Sequence, residues 1–316
     1  MPGQITLNDL VDFGHLELLA KKVVEGYITG LHKSPYHGFS VEFAEHRPYN
    51  TGESIRHIDW KLFARTEKLF IKKYEEETNL RCRIIVDVSS SMYYPFEGKE
   101  RPGYNKYSFS ALASACLMNL LQRQRDAVGL TLIDENIRFH SQARSSITHI
   151  RNLIAKLENY LLTPPKKPIN TQITELLHEL AEKIHARSLV VIFSDFMAGL
   201  DPEKNFKEAL KPLLDALGHL MFNKHEVILF HVLDASTELD LKFEYRPFEF
   251  EDSESGEKIR LNPAEIQKVY QSQAHQFESF MRVESTQMGI DFNMADIGKG
   301  LFDILNAFMI KRQTLF

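Results

Sequence analysis

Short runs of consecutive apolar residues, separated by longer stretches of helical spacing, constrain this fold more than any other feature of the sequence. The runs are Ile84-Ile85-Val86, residues 128–133, residues 189–193 and residues 227–233. Such runs are rich in β-branched residues and apolar at nearly every position, which suits strands buried on both faces. Around and between them, residues 107–125, 147–160, 171–185 and 203–221 repeat their apolar side chains at the three-and-four spacing of a helix. Strands joined through helices run parallel to one another, so the pattern predicts an α/β fold with a mostly parallel sheet.

The remaining segments fill in around that core. A turn at Asp134-Glu135-Asn136 predicts that residues 137–140 return as a hairpin. Residues 16–31 read as a helix and residues 69–74 as a short strand. Residues 241–261 alternate polar and aromatic side chains around Asp252-Ser253-Glu254-Ser255-Gly256, the pattern of an exposed hairpin. A long polar helix is expected over 263–287, a last short strand over 290–294 and a closing helix over 299–310. Residues 32–74 differ in kind, being turn-rich, aromatic and dense in Arg and His. The expected organisation is an N-terminal segment, 1–79, and a larger α/β domain, 80–316.

Composition narrows the function. The chain has 316 residues and 43% apolar content, enough for a core without disulfides. Lys and Arg number 38 against 43 Asp and Glu, a net charge of −5, which argues against an overall basic nucleic-acid binder. The two cysteines, Cys82 and Cys116, sit in apolar segments with no CxxC, as buried thiols of a reducing compartment would. No run approaches the roughly 18 apolar residues of a membrane span. Residues 1–10 lack a basic start followed by an apolar stretch, so no signal peptide is expected and the expected location is cytoplasmic.

Common catalytic motifs are missing. There is no G-x-S-x-G, no G-x-G-x-x-G and no phosphate-binding loop beyond an isolated Gly298-Lys299-Gly300. His178-Glu179 and His185 are seven residues apart, about 10 Å along a helix, too far to share one zinc.

The chemistry concentrates after residue 84. The first apolar run ends in Asp87, followed by Ser89 and Ser91; the run at 189–193 ends in Ser194-Asp195. Open α/β sheets bind ligands at the carboxyl ends of their strands. If these two strands are neighbours, Asp87 and Asp195 share one rim. Thr171, near a helix start, offers another hydroxyl. Hydroxyl and carboxylate oxygens suit a hard cation such as magnesium, which takes six oxygens and keeps several waters. An ion held by neutral hydroxyls, with the carboxylates acting mainly through water, keeps much of its charge. It then offers an open position to a carboxylate of a partner protein. The plainer alternative for Asp87 to Ser91 is a turn closed by an Asx-type hydrogen bond. Lys106, at the next helix start, reads as a solvated helix end or as a salt bridge steadying the loop.

Asp87-x-Ser89-x-Ser91, with Thr171 and Asp195, resembles the metal-ion-dependent adhesion site of von Willebrand factor type A domains. The upstream block Arg47-x-Tyr49, Gly52-Glu53, Arg56-x-Ile58-Asp59-Trp60 and Ala64-Arg65 resembles the signature of a bacterial family, domain of unknown function number fifty-eight, which joins it to such a domain. The resemblance runs from about Gly38 to the end. It implies a Rossmann-like von Willebrand A domain and a magnesium ion, or manganese or calcium. Asp87, Ser89, Ser91 and Thr171 would surround that ion, with Asp195 orienting a water. It further implies an adaptor for a MoxR-type AAA+ ATPase in assembly or maturation of client proteins, without catalysis. Two departures stand out: Glu53 where the family usually has Asp, and Ile169-Asn170 where it often has two glycines before the threonine. Many members also carry N-terminal membrane helices, of which this sequence shows none.

Arg47, Tyr49, Arg56, Asp59, Trp60 and Arg65 are candidates for a partner-docking surface. The reading that comes first for this block is structural: Tyr49, Ile58 and Trp60 would make a small satellite core with Arg56 and Asp59 paired at its edge. The adhesion reading has two rivals. One is a metal-dependent phosphoester hydrolase or phosphotransferase using Asp87, although the second acid expected two residues on is Ser89. The other is a metal-free scaffold.

Overall fold

A computed structural model describes residues 16–31, 46–48, 60–67, 69–72, 80–95, 105–163, 165, 169, 172–197, 206–253 and 255–314. The chain divides into two compact units: Met1–Tyr27 with Leu80–Phe316, and Ile28–Asn79. In the smaller unit, β1 (His46–Pro48) pairs antiparallel with β2 (Phe70–Lys72), in the expected strand region. A short helix, α2 (Trp60–Thr66), also lies in this unit.

The larger unit is built on a six-stranded sheet. Its strands are β3 (Arg81–Asp87), β4 (Ala127–Ile133), β5 (Ile137–His140), β6 (Leu189–Ser194), β7 (Glu226–Leu233) and β10 (Asp291–Asp296), in the order β10-β7-β6-β3-β4-β5. Every pairing is parallel except that of β5, which returns antiparallel on β4 through the expected turn. The α/β architecture with a mostly parallel sheet is therefore the one the apolar runs demand. The central strands are buried at nearly every position, as two-sided coverage by helices requires.

Helices α1 (Leu16–Leu31), α3 (Lys106–Arg123), α4 (Ile147–Leu162), α5 (Ile173–Lys183), α6 (Phe206–Phe222), α7 (Pro263–Gln287) and α8 (Phe302–Thr314) surround it. Apolar residues of α5, α6 and α7 form one buried cluster with Ile85, Val190, Ile192 and Leu229 of the strands. Outside that cluster stands α3, buried without interruption from Lys106 to Leu121 and in contact with β3, β4 and β7. The Cys116 thiol of α3 lies 3.8 Å from the Ala20 carbonyl of α1, and both cysteines are free and buried, as expected.

One close approach fixes a residue type. The buried Arg83 guanidinium lies over Gly129 of the neighbouring strand, where a Cβ would come within 2.5 Å of Nη1. Its Nη1 donates to the carbonyls of Leu130 and Ser141, so backbone oxygens meet the head of an arginine inside the sheet, while its Nε is buried without a partner.

After β7 the chain makes a short π-helical turn (Ala235–Leu239) and then the expected hairpin, β8 (Phe248–Glu251) against β9 (Lys258–Leu261). Phe243 packs tilted against Phe248 and edge-on to Phe250, giving the hairpin its own aromatic cluster. Among the described residues, no helix is long and apolar enough to cross a membrane.

Candidate functional site

The parallel register puts β3 directly beside β6, so Asp87 and Asp195 stand at one carboxyl edge. The chain turns sharply at both strand ends because each carboxylate caps its own turn. The Ser89 N–H donates to Asp87 Oδ1 at 2.9 Å, and the Met197 N–H donates to Asp195 Oδ1 at 3.3 Å. The Asx-type hydrogen bond of the plain reading is thus present at Asp87, alongside the rest of the cluster. Asp87 Oδ2 accepts from the Ser194 hydroxyl at 2.7 Å, a contact that ties the two strand ends together. Ser89 Oγ and Ser91 Oγ are 3.1 Å apart, and the Ser91 hydroxyl also serves the Asp195 carboxylate.

Asp87 is fully buried and Asp195 nearly so. The donors to Asp87 are neutral. Burial, reinforced by the negative charge of Asp195, pushes the Asp87 carboxyl up to about 7, against the pull of its serine donors. Asp195 goes the other way. Burial raises it, but the Lys106 ammonium outweighs burial and holds its carboxyl below the usual range.

Of the two sequence readings of Lys106, the structure bears out the salt bridge. The solvated helix end is corrected: the residue is 1% exposed. A capping box between Asn105 and Ser108 starts α3 at this point and aims the lysine inward. Its Nζ donates to Asp195 Oδ2 at 2.8 Å and to Glu238 Oε1 at 2.6 Å. Burial alone would lower the ammonium; the two carboxylates more than reverse that and raise it. Glu238 comes from the turn after β7, where its Oε2 accepts the Asp234 N–H at 2.7 Å. Burial lifts the Glu238 carboxyl above its usual range even with Lys106 beside it.

Neither Glu238 nor Ser194 was assigned a role from sequence. A signal for Glu238 existed, since β7 belongs to the same sheet and its carboxyl end must reach the same edge.

Of the other expected site residues, Thr171, Tyr49, Arg56 and Asp59 lie outside the described residues. Arg47 is on β1, Trp60 opens α2, and Arg65 is exposed near the end of that helix. His178 is exposed and faces His219 across α5 and α6, with Nδ1 atoms 3.2 Å apart; among the described residues no group of three or more His, Cys, Asp or Glu is arranged to hold a metal.

The oxygen donors fit a small hard cation. Two ligands in adjacent positions on an octahedral magnesium are ~2.9 Å apart, given metal–oxygen distances near 2.1 Å. The Ser89 and Ser91 hydroxyls, 3.1 Å apart, already stand close to that separation, next to a carboxylate that has no cationic partner among the described residues.

Comparison with known proteins adds the following. The sequence matches the family described as "Protein of unknown function DUF58" over residues 45–279. It is 23% identical over 221 residues to the uncharacterized protein Rv1480 of Mycobacterium tuberculosis and to Mb1516 of Mycobacterium bovis, covering 69% of this chain and 63% of each relative. The chain thus spans under two thirds of the length of these relatives. Among solved structures, the conserved hypothetical protein BatB from Bacteroides thetaiotaomicron superposes with a TM-score of 0.43 at 13% identity, over 75% of this chain and 100% of that one. An aerotolerance-related membrane protein from Bacteroides fragilis gives 0.44 at 14%, over 73% and 99%. The SpRpn10 VWA domain gives 0.36 at 13%, over 72% and 94%. With 235 of its residues inside the family match, this chain belongs to the DUF58 family.

Proposed function

We propose that the chain is a non-enzymatic protein-binding module whose carboxyl-edge site takes a divalent, oxygen-seeking cation, magnesium by preference. Asp87, Ser89 and Ser91 would hold the ion, with Thr171 as a further hydroxyl and Asp195 acting through water. A partner Asp or Glu would complete the shell. The bound ion supplies positive charge at the rim. The residues of the chain orient it and keep the flanking carboxylates fixed through Ser194 and Lys106. One observation carries this reading: a fully buried Asp87 with only neutral donors, beside two hydroxyl oxygens 3.1 Å apart.

The partner system in this proposal is a MoxR-type AAA+ ATPase or its client, with this chain as adaptor, and it draws on family membership. The phosphotransfer alternative fits less well, because the position two residues after Asp87, where a second acid is expected, is Ser89. The metal-free scaffold has one observation in its favour: Lys106 already supplies a cation to Asp195.

The test is capture of proteins from the native cell lysate on the tagged chain, in magnesium, in chelator, and with Asp87→Ala. A partner retained only by the wild type in magnesium is expected. Identical capture in all three conditions would remove the metal bridge and leave the scaffold.

A further inference from the structure

A half-open cavity of about 190 Å³ lies beside Asp195, bounded by the end of β6, by β7, by the turn after β7 and by α7. That is below the ~300–1,000 Å³ usual for small-molecule sites, and of the scale of a single side chain. Met197, Phe277 and Met294 give it apolar walls. Among the described residues, its charged lining consists of Asp195, Glu238 and Glu278, with no lysine or arginine. His231 also lines it; the residue is more than nine-tenths buried, and its Nδ1 has no hydrogen-bond partner. That buried ring nitrogen is a polar atom for an incoming group to satisfy.

An apolar sleeve ending in carboxylates, with an unpartnered ring nitrogen, selects an occupant that has an apolar stem and a cationic donor head. We propose that the cavity receives an arginine side chain of a partner protein, its methylenes against Phe277 and Met294 and its guanidinium toward Glu238 and Glu278. Arginine suits it better than lysine. Its planar fork reaches several acceptors at once, it stacks on aromatic faces, and it sheds water more readily than an ammonium. The existing partners leave room for it. Glu278 pairs with Arg282 at 2.8 Å, an arginine whose own side chain is about half exposed and so weakly held, and among the described residues Lys106 is the one cation that Asp195 and Glu238 share. The cavity shares Asp195 with the cation site but needs no metal. It extends the protein-binding reading by a second, basic contact on the same partner.

Butylguanidinium serves as the probe, followed by saturation-transfer NMR and titration on the full chain in chelator. Butylurea is its neutral isostere. Butylguanidinium is expected to bind, and butylurea at least about fivefold more weakly. Ala274→Trp, which fills the cavity from α7, should abolish the transfer. Glu278→Gln, which keeps the shape, should weaken it about fivefold with an unchanged unfolding midpoint. No transfer to the wild type, equal binding of butylurea, or undiminished binding by both variants would overturn the proposal. Should Ala274→Trp fail to fold, Glu278→Gln and the isostere decide. Because chelator is present throughout, failure here is independent of the magnesium reading, which stands or falls on Asp87.

Discussion

At the amino edge of the central sheet, Arg312 meets Asp126 at 2.7 Å, and Lys311 sits between Glu226 and Asp291, both close to half exposed. At the carboxyl edge, Asp195 and Glu238 share Lys106, and among the described residues Asp87 has no cationic donor. Charge at the amino edge is either matched or screened by water. At the carboxyl edge it is buried and in excess, an arrangement that costs stability by itself. A fold retains such a cost where something from outside relieves it, and a divalent cation and a partner's basic side chain are the two relievers proposed above.

The comparison breaks first at Lys106. Lys106→Met leaves two carboxylates without their ammonium and should cost ~3–5 kcal/mol. Arg312→Met at the other edge should cost less, ~1–3 kcal/mol, because Asp126 keeps the Leu80 N–H at 3.1 Å. Urea unfolding of the two variants measures both. Equal losses would mean that the edges do not differ in the way described.

A smaller effect, of opposite sign, is expected at Asp87. Asp87→Asn removes a buried charge and should raise stability in chelator at pH 8 by ~1 kcal/mol, while ending any stabilisation by magnesium. The sign follows from burial, which raises the Asp87 carboxyl to about 7. Its ionised form therefore weighs against the folded state above that pH. Loss of stability in the variant at pH 8 would show that the serine donors outweigh desolvation.

The smallest effect is a slope. His231 resists protonation down to about 4 in the folded chain, whereas an unfolded histidine takes its proton near 6.5. Its contribution is therefore whole above pH 6.5 and declines as pH falls toward 4. Thermal midpoints between pH 7 and pH 5 should fall less steeply in His231→Phe than in the wild type. An unchanged slope would place the acid sensitivity elsewhere.

Much of this was legible in the sequence. The bounds of α1 and α7 follow the apolar spacing and the Asn262-Pro263 start, residue for residue. That Asp87 and Asp195 share an edge followed from two buried runs, once those runs were taken as neighbours. What the sequence did not disclose depends on distance along the chain. Lys106 meets Glu238 across 132 positions, and nothing local distinguishes a lysine at a helix start that points inward from one that points to water. The cavity was equally hidden. It needs β6, β7 and α7 together, and His231 sits within what reads as one more apolar strand.

The most direct test is a manganese titration of the chelator-treated chain, read by the electron paramagnetic resonance of the free ion. One manganese per chain, displaced by magnesium and lost in Asp87→Asn and in Ser89→Ala, is the expected result. Binding that is absent from the wild type, or equal in all three proteins, would contradict a cation site at the carboxyl edge.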